Sequence, residues 1–328
     1  MKAILTMQDK SLVWADVETP VPRDDEVLVC VKAAALNRAD LMQRAGDYPP
    51  PPGCPEWMGL EISGVIEEVG SEAKRVSTWK KGDKVCALLG GGGYAEYVTV
   101  RYDMLMPIPK GLTMVQAAAL PEAFATAYVN LFIEGDIKAG ETLLMNAGAS
   151  GLASVIIPMA KAFGARVITT VLSDEIAASI THLGADVVVN TRGRDIVQVL
   201  EAEAANGHPL DVAIDCLGGD AVAQCMPHMN RGGRWIMIAT LAGDTSAIDL
   251  KMMYKKNLRL TGNTLRARTP AVKAWILASL VKDIWPKVEA GLVTPTIYKV
   301  LPMQKAEEAH AILQRGENIG KVVMTVEE

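Results

Sequence analysis

The chain has 328 residues, half of them apolar and 22% charged, a composition that excludes a disordered polypeptide. This length exceeds that of most single domains, so two domains are expected. The net charge of −5 and the lack of a basic stripe exclude the clustered positive surface of nucleic-acid-binding proteins. The first apolar run is too short for a secretory signal, and no segment has the length of a membrane span. A cytoplasmic protein with no membrane or nucleic-acid partner is therefore expected.

The first 120 residues have the pattern of a β-rich domain. Four β-branched, partly alternating runs separated by turn residues predict strands at 26–33, 63–69, 83–88 and 94–100. The four consecutive glycines at 90–93 lead into a strand and not into a helix, so they predict a turn or bulge instead of a phosphate cradle. Five scattered cysteines without a C-x-x-C pair indicate reduced thiols, and neither a disulfide framework nor a zinc cluster.

Residues 141–171 predict the phosphate-binding βαβ unit of a dinucleotide site. An apolar run at 142–147 is followed by a glycine turn, a helix that ends near Gly164 and a second apolar strand at 166–171. The turn reads Gly148-Ala149-Ser150-Gly151-Leu152-Ala153. Such a turn places a helix N-terminus, with its unpaired N–H groups, against a pyrophosphate. Ser150 replaces the usual second glycine, and its hydroxyl could donate to a phosphate oxygen. A glycine turn without a ligand is the alternative, and the flanking strand and helix favour nucleotide binding.

From about residue 121 to residue 241, strands alternate with helices, which predicts a doubly wound parallel sheet of the Rossmann type. Helices are predicted at 174–183, at 195–204 and after Gly219, and strands at 186–189, 211–215 and 234–239. The tail predicts a strand at 258–262, one long helix at 270–290 and a final strand at 321–326. The predicted fold class is α/β, with a Rossmann domain (121–259) inserted in a β-rich domain (1–120 plus 260–328).

Short motifs along the whole chain resemble those of one protein family. They are ALNRADLMQR (35–44), YPPPPG (48–53), GLEISG (59–64), GGGYAEYVTV (91–100), QAAALPE (116–122), DCLGG (215–219), LRAR (265–268) and NIGKVVM (318–324). In this order they resemble the zinc-free, zeta-crystallin-like quinone oxidoreductases of the medium-chain dehydrogenase/reductase superfamily. The resemblance implies a GroES-like catalytic domain, an NAD(P)H:quinone oxidoreductase activity and a homodimer.

The alcohol dehydrogenases of this superfamily hold a catalytic zinc with cysteine and histidine. By resemblance, Asn37 occupies the cysteine position, and Gly59-Leu60-Glu61 replaces the metal-binding Gly-His-Glu. Leucine cannot ligate a metal, because zinc requires nitrogen, sulfur or carboxylate donors. The four-cysteine loop of a structural zinc, expected before Tyr94, is missing. We therefore expect no metal.

The resemblance also implies the site residues. Tyr48, Asn37 and Asp40 are expected to be catalytic, with Tyr48 donating to the developing oxyanion of a quinone or other small electrophilic acceptor. Taken alone, Tyr48 is a loop aromatic, Asn37 is a turn or cap residue, and Asp40 orients Asn37 or caps a helix. The expected cofactor contacts are Asn37, Thr126, Gly148, Ala149, Ser150, Gly151, Leu152, Ser173, Arg192, Cys216, Thr240, Leu241, Leu265, Arg266, Arg315 and Lys321.

The end of the second strand in the βαβ unit bears on the choice of nicotinamide. An NAD enzyme usually has an acidic residue there to bind the ribose diol, and this chain has Thr169-Thr170-Val171 instead. This favours NADPH, with NADH also possible. Asp174 and Glu175 would repel a 2′-phosphate if they faced it, which leaves Ser173, Arg192 and Arg315 as its candidate ligands.

Two other functions stay open. The same scaffold delivers hydride to conjugated carbonyls, so a reductase of activated alkenes or enoyl thioesters is the runner-up. That activity would need a basic groove for a coenzyme A or carrier phosphate, and the sequence does not reveal one. The other alternative is a nucleotide-binding structural or regulatory protein without turnover.

Overall fold

A computed structural model describes residues 1–326, and most of its elements follow the predicted runs. The strands are β1 (Lys2–Thr6), β2 (Leu12–Asp16), β3 (Glu26–Ala35), β4 (Glu61–Val69), β5 (Lys84–Leu88), β6 (Tyr97–Arg101), β7 (Leu105–Pro107), β8 (Thr142–Met145), β9 (Arg166–Val171), β10 (Val187–Asn190), β11 (Leu210–Asp215), β12 (Met229–Met237), β13 (Arg259–Gly262), β14 (Ile297–Pro302) and β15 (Lys321–Thr325).

The α-helices are α1 (Arg38–Ala45), α2 (Ser71–Val76), α3 (Met114–Ala118), α4 (Pro121–Tyr128), α5 (Ala153–Ala162), α6 (Asp174–Ser179), α7 (Ile196–Ala205), α8 (Asp220–Cys225), α9 (Leu250–Lys256), α10 (Pro270–Asp283), α11 (Trp285–Glu289) and α12 (Ala306–Arg315). A π-helix, Val129–Glu134, directly follows α4. Among residues 1–326, no helix combines the length and the apolarity that crossing a membrane requires.

The chain divides into two compact units. The first unit contains residues 1–125, 266–290 and 295–326, and the second unit contains residues 126–265 and 291–294. The main boundaries therefore lie about six residues beyond the ones that the sequence predicts. The second unit is inserted in the β-rich first unit and has a parallel sheet, which confirms the predicted fold class.

The sheet of the second unit has the strand order β10-β9-β8-β11-β12-β13, with every neighbouring pair parallel. β8 is fully buried, and β9 and β11 are nearly so, which explains why these strands appear in the sequence as continuous apolar runs. The chain leaves β8 towards β9 on one side and later returns to β11 on the other. The carboxyl ends of β8 and β11 therefore form the switch point at which open α/β sheets bind ligands.

The sheet of the first unit has the order β14-β15-β3-β4-β5-β7, and β6 also pairs with β3. The long strand β3 is antiparallel to both β4 and β15, so its carboxyl end meets the beginnings of those two strands. Ala34 is paired with Ile62, and Ala35 is paired with Val323. This register brings together the residues that follow β3 and those that open β4 and β15.

The predicted single helix at 270–290 is wrong. The helix ends at Asp283, and a second helix begins at Trp285 with Pro286 in its first turn. Proline has no N–H to continue the helical ladder and clashes with the preceding turn, but it is tolerated at the start of a helix. A new helix therefore begins just before Pro286, where the apolar pattern alone predicts one continuous helix.

The glycine run at 90–93 lies between β5 and β6, as the sequence predicts, and forms no helix N-terminus. A Cβ atom on Gly93 would lie 2.9 Å from the Ile62 side chain and 3.0 Å from the Gly59 carbonyl. The run is therefore needed for close backbone packing inside the first unit.

Candidate functional site

A buried ion pair lies in the first unit, where β3 ends and β4 and β15 begin. The Lys321 Nζ atom is 2.7 Å from Glu61 Oε1, and the two side chains are 5% and 0% exposed. Nζ also donates to the Leu36 carbonyl and to Asn37 Oδ1, each at 2.7 Å. An ammonium group has three donors, so all of them are used. The sequence predicts a cofactor contact for Lys321, which stays a prediction; in the structure Lys321 joins the Leu36 carbonyl, Asn37 and Glu61.

The Glu61 carboxylate connects this pair to two further elements. Oε1 accepts from Asn37 Nδ2 at 3.0 Å, and Oε2 accepts from the backbone N–H of Glu122 at 2.9 Å. Glu122 is in the first turn of α4, so Glu61 supplies both an acceptor and a negative charge to that helix N-terminus. Desolvation and the nearby Glu61 carboxylate raise the pKa of Glu122 to about 7.

Asp40 fixes the start of α1, directly after Asn37. It is fully buried, and its Oδ2 atom accepts from the Asn37 backbone N–H at 2.7 Å and from the Tyr94 hydroxyl at 2.8 Å. Burial raises the pKa of Asp40 to about 6, although these hydrogen bonds oppose the rise. A carboxylate that accepts from the N-cap N–H is half of a capping box. Asp40 is fully buried, so its contacts support the interpretation that it orients Asn37 and caps α1, and the expected catalytic role stays a prediction.

Tyr48 and Arg266 stack on each other in the first unit. The guanidinium carbon of Arg266 lies 4.5 Å from the centroid of the Tyr48 ring, which is a cation–π contact. One face of the ring is therefore covered, and only the other face can meet a flat substrate. Burial raises the pKa of the Tyr48 phenol, so the hydroxyl stays protonated and able to donate at neutral pH.

The glycine turn of the second unit begins with a residue that must be glycine. The Gly148 N–H donates to the Thr170 carbonyl at 2.8 Å. A Cβ atom on Gly148 would lie 2.4 Å from Thr169 Oγ1, closer than real side chains approach. The buried Thr169 hydroxyl is itself held by a 2.7 Å hydrogen bond to the Met145 carbonyl, so it cannot swing away freely. The turn is therefore packed directly on β9.

The rest of the turn presents donors at the N-terminus of α5. Ser150 Oγ accepts from the Ala153 N–H at 3.1 Å, which leaves the serine O–H free to donate. Within residues 1–326, the N–H groups of Gly151 and Leu152 have no hydrogen-bond acceptor. A hydroxyl and two unpaired amides beside a helix N-terminus are suited to an anion such as a pyrophosphate.

The DCLGG segment lies at the carboxyl end of β11 in the same unit. Asp215 is fully buried and accepts from Asn146 Nδ2 at 3.0 Å. The backbone that follows pairs with the segment after β12, where the Leu241 N–H donates to the Cys216 carbonyl at 3.0 Å. The structure therefore brings Cys216, Thr240 and Leu241, three expected cofactor contacts, to this edge of the sheet.

The loops after β9 and β10 contain the candidate ligands of a 2′-phosphate. The Ser173 hydroxyl caps α6, and Asp174 accepts from Asn190 Nδ2 at 3.0 Å, so an amide faces that carboxylate. Arg192 and Arg194 are exposed in the turn after β10. In the part of the chain that the structure describes, neither guanidinium has an acceptor. Arg194 is a second candidate that sequence reasoning missed.

Two further expected contacts, Arg315 and Leu265, lie in different units. Arg315 ends α12 in the first unit, where it forms an exposed ion pair with Glu317. Leu265 is buried and is the last residue of the second unit before the chain returns to the first unit.

Thr126 belongs to a polar chain that the sequence does not predict. Its carbonyl accepts from Asn130 Nδ2 at 2.7 Å, and Asn130 Oδ1 accepts from Asn263 Nδ2 at 2.8 Å. Asn130 lies in the π-helix, a form of helix that often marks functional sites. Neither asparagine belongs to a recognisable motif, so only the structure identifies the chain.

Comparison with known proteins gives matches over both units. The family described as "Alcohol dehydrogenase GroES-like domain" matches residues 23–110, and the one described as "Zinc-binding dehydrogenase" matches residues 151–280. The chain is 30% identical to a quinone oxidoreductase-like protein 2 homolog of Nematostella vectensis, over 92% of this chain and 82% of the relative. It is 28% identical to a quinone oxidoreductase of Mus musculus, over 94% of this chain and 92% of the relative.

Solved structures agree over the full length. A mycobacterial quinone oxidoreductase has a TM-score of 0.85 and 26% identity, covering 99% of both chains. An enoyl reductase (ER) cyclopropanase of the curacin A biosynthetic pathway has a TM-score of 0.85 and 26% identity, also covering 99% of both chains.

Proposed function

This chain belongs to the quinone oxidoreductase family of the medium-chain dehydrogenase/reductase superfamily, and we propose that it transfers hydride from NADPH to a quinone without zinc. The family makes it an oxidoreductase with a nicotinamide cofactor. The proposed quinone acceptor and the zinc-free mechanism are inferred from the residues around Asn37. The residue at the expected metal-ligand position is an amide held between Lys321 and Glu61, so we assign the action on the acceptor to Tyr48.

The residues around Asn37 do not fit a catalytic zinc ion. Leu60 is buried and apolar, and the nearby carboxylates of Glu61 and Asp40 already accept hydrogen bonds or pair with Lys321. Within residues 1–326, no three His, Cys, Asp or Glu side chains are grouped as metal ligands. Zinc sites need three or four such donors. The proposed hydride transfer therefore uses no metal.

The second unit fits the nicotinamide dinucleotide. The turn 148–152 would hold the pyrophosphate through the Ser150 hydroxyl and the backbone N–H groups of Gly151 and Leu152. The close packing of Gly148 on Thr169 fixes the conformation of this turn. Arg192 is the proposed ligand of the 2′-phosphate. When bound, NADPH supplies a hydride, and hydride together with one proton converts a quinone into a hydroquinone.

Tyr48 is the proposed donor to the quinone oxygen. As hydride adds, negative charge develops on that oxygen, and a positioned O–H stabilises it. Arg266 holds the ring in place by stacking and by donating to the Tyr48 carbonyl at 3.2 Å. The Asn37 side chain has a fixed orientation, because its Nδ2 and Oδ1 atoms both form hydrogen bonds.

Replacing Tyr48 with phenylalanine is expected to lower kcat for a quinone about a hundredfold, the order seen when one oxyanion donor is removed. The KM should change far less, because the ring and its stacking on Arg266 remain. Steady-state NADPH oxidation measures both constants. Tyr298→Phe, at an exposed site on β14, is the matched control and should leave both constants unchanged. A kcat for Tyr48→Phe within twofold of wild type contradicts the proposed role.

The activity itself is tested by offering NADPH, and then NADH, to the protein with benzoquinone, phenanthrenequinone or crotonyl-CoA. Quinone turnover with NADPH is the expected result. Turnover of the thioester alone would instead favour an activated-alkene reductase, a possibility that the likeness to the enoyl reductase cyclopropanase keeps open. Nucleotide binding without turnover of any acceptor would contradict enzymatic function.

Replacing Arg192 with methionine is expected to weaken NADPH binding about tenfold and NADH binding little, because only NADPH has the 2′-phosphate that a guanidinium binds with charge-assisted hydrogen bonds. Fluorescence titration with each nucleotide measures the two dissociation constants. Arg194→Met, the second candidate in the same turn, is the comparison variant, and Arg75→Met, at an exposed site on α2, is the matched control. An equal loss for both nucleotides in Arg192→Met, or a selective loss in Arg194→Met alone, would remove Arg192 from the site.

A homodimer is proposed from the second unit. β13 pairs with β12 on one side, and no strand of residues 1–326 covers its other edge. Leu260 on β13 is exposed, and so are Leu250 and Tyr254 on α9, the helix that precedes β13. A second copy of the chain would bury this apolar surface and satisfy the open edge. Light scattering after size exclusion should therefore give twice the mass of the chain, and a monomer mass at micromolar concentration would contradict it.

A further inference from the structure

A cavity of about 880 Å³ lies beside Tyr48. Its walls include the proline run at 49–52, the segment at 88–91, residues 266–270 and Lys273 near the start of α10. All of its lining residues belong to the first unit, so it is a feature of that unit by itself. The volume is within the range of small-molecule sites.

Some of the basic side chains in the cavity wall have carboxylate partners. Arg23 pairs with Glu26 at 2.6 Å, and Arg101 pairs with Asp103 at 2.8 Å. The positive charges of these two residues are therefore balanced by protein groups, and they add little to the attraction of the cavity for an anion.

Arg266 differs, because every acceptor that it contacts is neutral. Its guanidinium donates to the carbonyls of Tyr48 and Gly90 and to the side-chain oxygen of Gln43, at 2.7 to 3.2 Å. The side chain is 9% exposed, and its Nε atom is buried with no partner within residues 1–326. Buried arginines ordinarily pair with a carboxylate or a phosphate. Within residues 1–326, the charge of Arg266 has no such partner.

Lys273 adds a second unbalanced charge. Its Nζ atom donates to the Arg266 carbonyl at 2.7 Å, and no carboxylate of residues 1–326 lies within ion-pair distance of it. Burial lowers the pKa of Lys273, whereas the more distant Glu122 raises it. Since the pKa of Glu122 is about 7, that carboxyl is only partly ionised at neutral pH. The wall therefore has more positive charge than the protein neutralises.

We propose that this cavity binds the anionic group of a negatively charged hydride acceptor, with Lys273 and Arg266 as the positive groups that attract it. The anion would be a carboxylate, sulfonate or phosphate on the acceptor, placed next to the Tyr48 phenol. This inference rests on the proposed function in one respect, since it takes the occupant of the cavity to be the acceptor. A phosphate of the nucleotide is the other possible source of the same chemistry, and the experiment separates the two.

The test compares 1,2-naphthoquinone with 1,2-naphthoquinone-4-sulfonate at saturating NADPH. The two quinones differ in reactivity, so the quantity measured is the ratio of their kcat/KM values in each variant. In Lys273→Met, the ratio of sulfonated to neutral quinone is expected to fall about tenfold from its wild-type value. Lys273→Arg should keep the wild-type ratio. Lys282→Met removes an exposed lysine of the same helix outside the cavity, and should also keep it.

A wild-type ratio in Lys273→Met overturns the proposal. The proposal is also overturned if Lys273→Met binds NADPH tenfold more weakly and loses kcat/KM equally for both quinones. In that case Lys273 binds a phosphate of the nucleotide and not the anion of the acceptor. If neither quinone reacts, the proposed function fails separately, and equilibrium dialysis with naphthalene-2-sulfonate and 2-naphthol still tests the cavity. Preferential binding of the sulfonate by wild type, lost in Lys273→Met, supports the proposal, and equal binding of both compounds overturns it.

Discussion

Replacing Lys321 with methionine is expected to destabilise the protein by about 3–5 kcal/mol, because it leaves the Glu61 carboxylate buried without its cation. The methionine fills a similar volume, so the loss comes mainly from the charge and from the three hydrogen bonds that the ammonium donates. In a protein of this size the midpoint of thermal unfolding should fall by about 4–7 °C. Urea unfolding followed by circular dichroism measures the change in free energy.

A double-mutant cycle shows whether the buried pair causes this loss. Glu61→Gln removes the negative charge, and the double variant with Lys321→Met should be more stable than Lys321→Met alone, since no unpaired charge stays buried. Lys299→Met is the matched control. Lys299 pairs with Glu308 at 2.8 Å, but both side chains are 44% exposed, so the loss should be below about 1 kcal/mol. If Lys321→Met costs no more than this control, the pair does not stabilise the first unit.

The parts of the molecule that the sequence predicts well are those set by local pattern. The turn at 148–153 lies between a buried strand and a helix in the sequence, and it does so in the structure. By contrast, β12 begins at Met229, before the predicted start at 234. The stretch Asn-Arg-Gly-Gly has the composition of a turn, but pairing with β11 through a register shift keeps it in the sheet. Tertiary pairing overrides the local signal there.

Contacts between distant parts of the sequence decide what the candidate site residues do, and no local pattern contains them. Lys321 and Asn37 are 284 positions apart, and Arg266 and Tyr48 are 218 apart. A motif can place Lys321 near the site but cannot show that all three of its donors are already used. Likewise, the sequence does not show that Asp40 is buried and hydrogen-bonded to the Tyr94 hydroxyl and to the backbone at the start of α1.

Replacing Gly148 with alanine is expected to weaken NADPH binding by about one to two orders of magnitude. The new Cβ atom would lie 2.4 Å from Thr169 Oγ1 and 3.0 Å from Thr169 Cγ2. Thr169 is fully buried on β9, so the turn must shift in response. A shift of the turn displaces the Ser150 hydroxyl and the unpaired amides that are proposed to bind the pyrophosphate, and hydrogen bonds are sensitive to such changes. Isothermal titration with NADPH measures the loss.

Removing the obstacle should reverse the effect of Gly148→Ala, and this is the sharper part of the experiment. Thr169→Ala deletes the two nearest atoms that the new methyl group would meet and leaves the end of the Ile180 side chain at 3.1 Å, so the double variant is expected to regain most of the lost affinity. Gly262→Ala is the control, because a Cβ atom there has no neighbour nearer than 4.0 Å. If Gly148→Ala binds NADPH as tightly as wild type, the turn is not the pyrophosphate site. If binding is lost but Thr169→Ala fails to restore it, the clash with β9 is not the cause, and the requirement for glycine would lie in direct approach of the nucleotide to the turn.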